Sequence, residues 1–159
     1  MISKGDTIPQ ANLMRMGADG PEPVSTSDYF KGRTVALFAV PGAFTPTCSA
    51  KHLPGFVEHA GDIKAKGVDA IACMSVNDVF VMDAWGKSAG VGGDIDMLAD
   101  GNGEFAKKLG LEMDASGFGM GSRSQRFSLL VEDGEVTQVN VEAPGEFKVS
   151  SADYLLERM

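Results

Sequence analysis

The sequence predicts an α/β fold whose central sheet is begun early in the chain and completed near its end. Two continuous apolar runs, RTVALFAV (33 to 40) and VDAIACMSV (68 to 76), have strand length and little polar alternation, as strands buried on both faces do. The stretch between them repeats apolar residues at helical spacing, which makes a β-α-β unit. The last third has two β-rich segments about an Asp133-Gly134 turn pair, then a helix.

In chain order, the proline and glycine content of residues 1 to 33 predicts short strands and turns ahead of the core. After the first buried strand, a helix is expected from Pro46, with Leu53, Phe56, Val57, Ala60 and Ile63 on its apolar face and a glycine stop at Gly67. A second helix starts at Asn77 or Asp78 in NDVFVMDAWGKSAG. A short strand around DIDMLAD (94 to 100) and a short helix in NGEFAKKLG (102 to 110) follow. The segment QRFSLLVEDGEVTQVNVE (125 to 142) is the hairpin, and SSADYLLERM is a closing helix capped by Ser150 or Ser151. The order β-α-β-α, a small excursion, then β-β-α is that of a thioredoxin-like fold with an N-terminal extension and a short insertion. One domain is expected to span residues 1 to 159.

Composition narrows the function classes. A formal charge of -8 argues against a nucleic-acid footprint, and no apolar window approaches the roughly 18 to 20 residues of a membrane span. MISKGDTIPQ carries no readable signal or transit peptide, so a cytoplasmic location is expected. The only cysteines are Cys48 and Cys73, too few for a disulfide framework and suited to a reducing compartment.

Cys48 lies in PGAFTPTCSA (41 to 50), where the first strand gives way to a helix. A free cysteine is by default a small hydrophobe. In the first turn of a helix beyond the C-terminal end of a central strand, it instead meets backbone N–H groups that favour a thiolate. CSAK lacks the second thiol of a C-x-x-C pair. His52, one turn on, is poorly placed as the base of a cysteine hydrolase and reads as a hydrogen-bonding or packing residue. Cys48, His52 and His59 cannot share a metal, because Cys48 and His59 lie roughly 16 Å apart along a helix axis. The acidic stretch DIDMLADGNGE lacks the ligand and glycine positions of a calcium loop. GFGMGSR (117 to 123) leads into a strand, not a helix, so it reads as a flexible turn delivering Arg123 and Arg126, not as a phosphate cradle. Neither a metal nor an organic cofactor is expected.

Pro41, Thr45 and Cys48 form P-x-x-x-T-x-x-C, which resembles the active-site motif of the peroxiredoxins. HLPGF (52 to 56), SVNDVFVMDAW (75 to 85), MLAD (97 to 100) and RSQRFSLLVEDG (123 to 134) are similar to the plant type II and mammalian peroxiredoxin-five branch, so the resemblance covers nearly the whole chain. It implies that Cys48 is the peroxidatic cysteine, that Thr45 hydrogen-bonds thiolate and peroxide, and that Pro41 shields the pocket. Arg126, directly before FSLLV, matches the active-site arginine, with Arg123 a more distant candidate. Phe44 would help Pro41 limit water and accept an organic group. GEFKVSSADYLL has serines where the mammalian branch carries a resolving cysteine, and Cys73 sits inside an apolar strand. The expected activity is therefore reduction of hydrogen peroxide and alkyl hydroperoxides, with glutathione, glutaredoxin or thioredoxin as reductant. The resemblance also implies a homodimer packed through the active-site end, for which Phe80 and Trp85 are the candidate anchors. A noncatalytic redox sensor that passes its oxidation to a partner protein is the alternative.

Overall fold

The computed structural model describes residues 1–159. Three strands, β3 (Thr34–Ala39), β4 (Ala70–Ser75) and β5 (Asp96–Ala99), run parallel at the centre of a seven-stranded sheet. On one side of them the hairpin of β8 (Phe127–Glu132) and β9 (Glu135–Val141) pairs antiparallel to β3. On the other, the hairpin of β1 (Asn12–Gly17) and β2 (Gly20–Ser25) joins antiparallel to β5, giving the order β2-β1-β5-β4-β3-β8-β9. The N-terminal extension is thus part of the sheet.

The apolar runs are continuous because each strand feeds two cores. Along β3, Val35, Leu37 and Ala39 enter one cluster with Leu13, Phe30 and Phe105. Ala36, Phe38 and then Val40 enter the other, with Leu53, Phe56, Ile63, Trp85 and Leu155. The first face is covered by α1 (Thr26–Phe30) and α5 (Glu104–Leu109), the second by α2 (Leu53–Glu58), α3 (Ala60–Ala65), α4 (Val79–Ala89) and α6 (Ala152–Glu157). Phe38 and Phe56 stack with ring centroids 4.0 Å apart, which fixes the height of α2 above β3. Asp78 caps α4 through the Val81 N–H at 2.8 Å, and Ser151 caps α6 through the Tyr154 N–H at 3.1 Å. Asp133 and Gly134 both have positive φ, as a tight hairpin turn requires.

Four features differ from the sequence reading. The single helix expected from Pro46 is divided into a π-turn, Cys48–His52, followed by α2 and α3, with a break at His59. Pro54 supplies a cause, since it has no N–H for the Ala50 carbonyl and its ring crowds that oxygen. The ladder re-registers, and the Leu53 N–H bonds the Cys48 carbonyl. The helix α1 was not expected; it is one turn long, too short to show a period, and the buried Thr26 pins it by accepting from Ala11 N–H and donating to the Pro9 carbonyl. GFGMGSR is not an open turn, because Ser116–Phe118 forms a 3₁₀ turn and Ser122–Ser124 (β7) pairs with Glu112–Asp114 (β6) in a separate two-stranded sheet. Trp85 is core, whereas Phe80 is 64% exposed.

Candidate active site

Beyond the end of β3 the chain passes through Pro41, turns at Gly42 to Thr45, and delivers Cys48 at the head of the π-turn. The Thr45 N–H and hydroxyl both donate to the Gly42 carbonyl, at 3.4 and 2.7 Å, and the Ser49 N–H donates to the Thr45 carbonyl at 2.9 Å. Phe44, between them, has φ of 63°, an uncommon conformation for a bulky residue. It is held from both sides, since the Ala43 N–H donates to Asn77 Oδ1 at 2.9 Å. The Asn77 oxygen also takes the Ser75 hydroxyl proton, so the end of β4 braces the loop.

Cys48 is fully buried, and Arg126 Nη2 donates to its sulfur at 3.0 Å. Arg126 lies between β7 and β8, and β8 is the neighbour of β3, so sheet order alone carries the guanidinium to the thiol. The second terminal nitrogen of Arg126 donates to His52 Nδ1 at 2.9 Å, and His52 Nε2 donates to the Ser150 carbonyl at 2.8 Å. Phe147 covers this pair, its ring 5.0 Å from that of His52 and 5.8 Å from the guanidinium carbon.

The structure therefore gathers Cys48, Arg126 and Thr45 at one sheet end and gives them unequal tasks. Arg126 is the donor at the sulfur. The Thr45 hydroxyl proton is committed to Gly42, which leaves its oxygen lone pairs as the group it can offer a ligand. Arg123 sits apart in β7, with Nε on the Met120 carbonyl at 2.9 Å and Nη1 on the Val76 carbonyl at 3.0 Å, so it braces backbone. Pro41 is half-buried, and Phe44 stands 53% exposed beside Trp85, ring centroids 6.5 Å apart. The sequence reads His52 as a hydrogen-bonding or packing residue, and it does both, but its bond to Arg126 was not foreseen and the side chains of Asn77, Glu142 and Phe147 were not singled out. For His52 the available signal was its place one turn beyond Cys48. The others come from distant segments with no shared spacing.

Cys73 faces the same apolar cluster as Cys48. Complete burial, and next the charge of Cys48, push its thiol well above the ordinary range, and Arg126 only partly offsets this. A thiol so placed is a poor nucleophile.

Burial, then the Arg126 guanidinium, hold the His52 imidazole down at about 3. The unfolded chain takes up a proton near pH 6.5 that the folded site refuses, so stability is lost as pH falls from about 6.5 toward 3. By pH 5 the loss should be roughly 2 kcal/mol. Urea unfolding at pH 7.5 and 5.0, in a His59→Gln background that removes the other imidazole, should show this loss and should lack it after His52→Asn. An equal pH dependence in the two proteins would remove the assignment.

The Redoxin family profile matches residues 3–156. Peroxiredoxin-2E-2, chloroplastic, from Oryza sativa subsp. japonica is 52% identical over 163 residues, covering 99% of this chain and 72% of the relative. Peroxiredoxin-2B of Arabidopsis thaliana is 49% identical over 159 residues, covering 99% and 98%. The structure of reduced Prx3 in complex with hydrogen peroxide from Vibrio vulnificus superposes with a TM-score of 0.96 at 51% identity, covering 99% of each chain. With a buried cysteine under an arginine at the end of a thioredoxin-like sheet, and these matches over almost its whole length, the chain belongs to the Redoxin family, in the type II and peroxiredoxin-five-like branch of the peroxiredoxins.

Proposed function

We propose that this protein is a thiol-dependent peroxidase that reduces hydrogen peroxide and alkyl hydroperoxides through Cys48 and is returned to the thiol by an external thiol, glutathione with glutaredoxin or else thioredoxin. The observation that carries the assignment of Cys48 is the guanidinium of Arg126 at 3.0 Å from a buried sulfur. The thiolate attacks one peroxide oxygen, the S–O bond forms as the O–O bond breaks, and the leaving alkoxide or hydroxide takes up a proton. The enzyme is left as a sulfenic acid. A reductant thiol then displaces water to give a mixed disulfide, and a second thiol releases Cys48 as the disulfide of the reductant leaves.

Ionising the thiol does not by itself supply the rate. An ordinary thiol of pKa about 8.5 is a few per cent ionised at neutral pH, so full ionisation gains roughly 30-fold. Lowering a thiol pKa by about 3 units costs roughly 16- to 30-fold in nucleophilicity. The remainder comes from fixed groups on the developing charge. Arg126 donates to the peroxide oxygens, and the Thr45 oxygen, its own proton held by Gly42, accepts the peroxide O–H. Pro41 and Phe44 form the apolar approach for an organic group, while Arg123 acts through the backbone it braces.

The external reductant is supported by the burial of Cys73 and by serines at 150 and 151. Oxidation with one equivalent of hydrogen peroxide should give a sulfenic acid on Cys48 and no Cys48–Cys73 disulfide by intact mass. Added glutathione should then add one glutathionyl group, which glutaredoxin removes. A dominant internal disulfide would overturn the external resolving step. Steady-state peroxide consumption with these donors separates a peroxidase from a sensor, which would be oxidised once and stop.

A homodimer packed through the active-site end completes the proposal, supported by the exposure of Phe44 and Phe80. Trp85 is withdrawn as an anchor because it is buried, its indole N–H donating to Ser49 Oγ at 3.0 Å. Light scattering that gives a monomer at all concentrations would remove the dimer. A cytoplasmic location is part of the same reading, supported by a count of two cysteines, too few for a disulfide framework, and cell fractionation tests it. No helix is long and apolar enough to cross a membrane.

A further inference from the structure

The peroxidase chemistry leaves two buried carboxylates without a role: Asp100, which accepts the Phe105 and Ala106 N–H groups at the start of α5, and Glu142. Glu142, which follows β9, is buried, and its carboxylate oxygens accept from one short stretch of chain: the Lys148 N–H at 2.8 and 2.9 Å, the Val149 N–H at 2.9 Å, the Ser150 N–H at 2.8 Å and the Ser150 hydroxyl at 2.7 Å. Burial pushes this carboxyl up, but the bonds from Ser150, Lys148 and Val149 together outweigh it and hold it below its ordinary range. The Glu142 N–H meanwhile donates to the Arg126 carbonyl at 3.0 Å. One residue is therefore fixed to the main chain of Arg126 at one end and to residues 148 to 150 at the other.

What that clamp holds in place is an acceptor. The Ser150 carbonyl lies 2.8 Å from His52 Nε2, and a carbonyl can only accept, so Nε2 carries the proton and Nδ1 the lone pair. The guanidinium of Arg126 can only donate, and it lies 2.9 Å from Nδ1. Both contacts are satisfied by one tautomer alone. In the other, N–H would face N–H and the guanidinium would be driven from the position that puts Nη2 on the Cys48 sulfur.

We infer that Glu142 is a positioning residue for peroxide reduction: by holding residues 148 to 150 it sets the His52 tautomer, and His52 in turn aims Arg126 at Cys48. This rests on the peroxidase reading, and the chain of action runs from carboxylate to loop carbonyl to imidazole to guanidinium.

The first measurement needs neither a variant nor peroxide. Nitrogen-15 chemical shifts of the His52 ring in the reduced protein should report the Nε2–H tautomer at pH 7, and an Nδ1–H ring would overturn the inference even if the protein turns over peroxide normally. Absence of turnover in the wild type would instead defeat the peroxidase reading and leave the tautomer result standing. Glu142→Gln puts an amide N–H₂ among backbone donors and should loosen the clamp, mixing the tautomers and slowing the second-order reaction of Cys48 with hydrogen peroxide by about tenfold or more. A rate within about twofold of wild type, with the tautomer unchanged, would overturn the proposal. In a His52→Asn background the same change should add less than about twofold, because the two residues act in series. A further full tenfold loss there would show that Glu142 acts on the fold and not through His52. Should Glu142→Gln fail to fold, Glu142→Asp keeps the charge and shortens the arm, and the same rate and tautomer criteria decide.

Discussion

Cys48→Ser should abolish peroxide reduction, while Cys73→Ser should retain most of the activity of each folded molecule. A serine hydroxyl is not ionised at neutral pH, so nothing replaces the attacking thiolate even though Arg126 stays in reach. Cys73 lies fully buried within β4, opposite Phe38 of β3, and its thiol is held protonated by burial and by the neighbouring charge of Cys48. Serine at this position places a hydroxyl in an apolar cluster, so the cost should appear as about 1 to 3 kcal/mol of stability and not as a loss of chemistry. Peroxide consumption per folded molecule, beside urea unfolding, checks both parts. Equal loss of activity in two folded variants would overturn the single-cysteine mechanism.

Arg126→Ala should slow peroxide attack on Cys48 by about 10²- to 10³-fold, equivalent to roughly 2.7 to 4 kcal/mol of transition-state stabilisation. Two effects combine: the donor at the sulfur is lost, and His52 Nδ1 is left buried without its partner. Arg123→Ala removes bonds to the Met120 and Val76 carbonyls and touches no atom of Cys48, so its effect on the rate should be smaller. Stopped-flow oxidation of the reduced proteins compares the two directly. If Arg123→Ala is the more damaging, the guanidinium at the sulfur is not the group that stabilises the transition state.

The parallel core and closing hairpin were readable because burial leaves a composition signal. RTVALFAV and VDAIACMSV are apolar throughout as each feeds two cores, and Asp133-Gly134 occupies the one turn that demands two positive φ values. Cys48 and Arg126 were legible through the motif and through Arg126 standing directly before a buried strand. The π-turn was not, because helical periodicity passes smoothly over Pro54 and conceals the change of register beneath it. Asn77, Glu142 and Phe147 were hidden for another reason. Each acts across at least two segments of chain, as when the Asn77 side chain leaves the start of α4 to hold Ala43, and such contacts exist only once the sheet is assembled.

The order of the sheet also constrains how copies of this protein can meet. Its outer strands are β2 and β9, and each is spoiled as a template for another strand. In β2, GPEPVS, prolines 21 and 23 have no N–H to give an incoming chain. The start of β9 is already occupied by the N-terminal segment, with Gly5 N–H on the Val136 carbonyl, Val136 N–H on the Asp6 carbonyl and Ile8 N–H on the Gly134 carbonyl, and a bulge interrupts its pairing with β8 at Leu130/Val131. Lateral growth into a continuous intermolecular sheet, the route by which exposed edges seed aggregates, is therefore hindered along β2 and at the start of β9. Association through the ends and helical faces of the molecule, by contrast, need not break a backbone ladder.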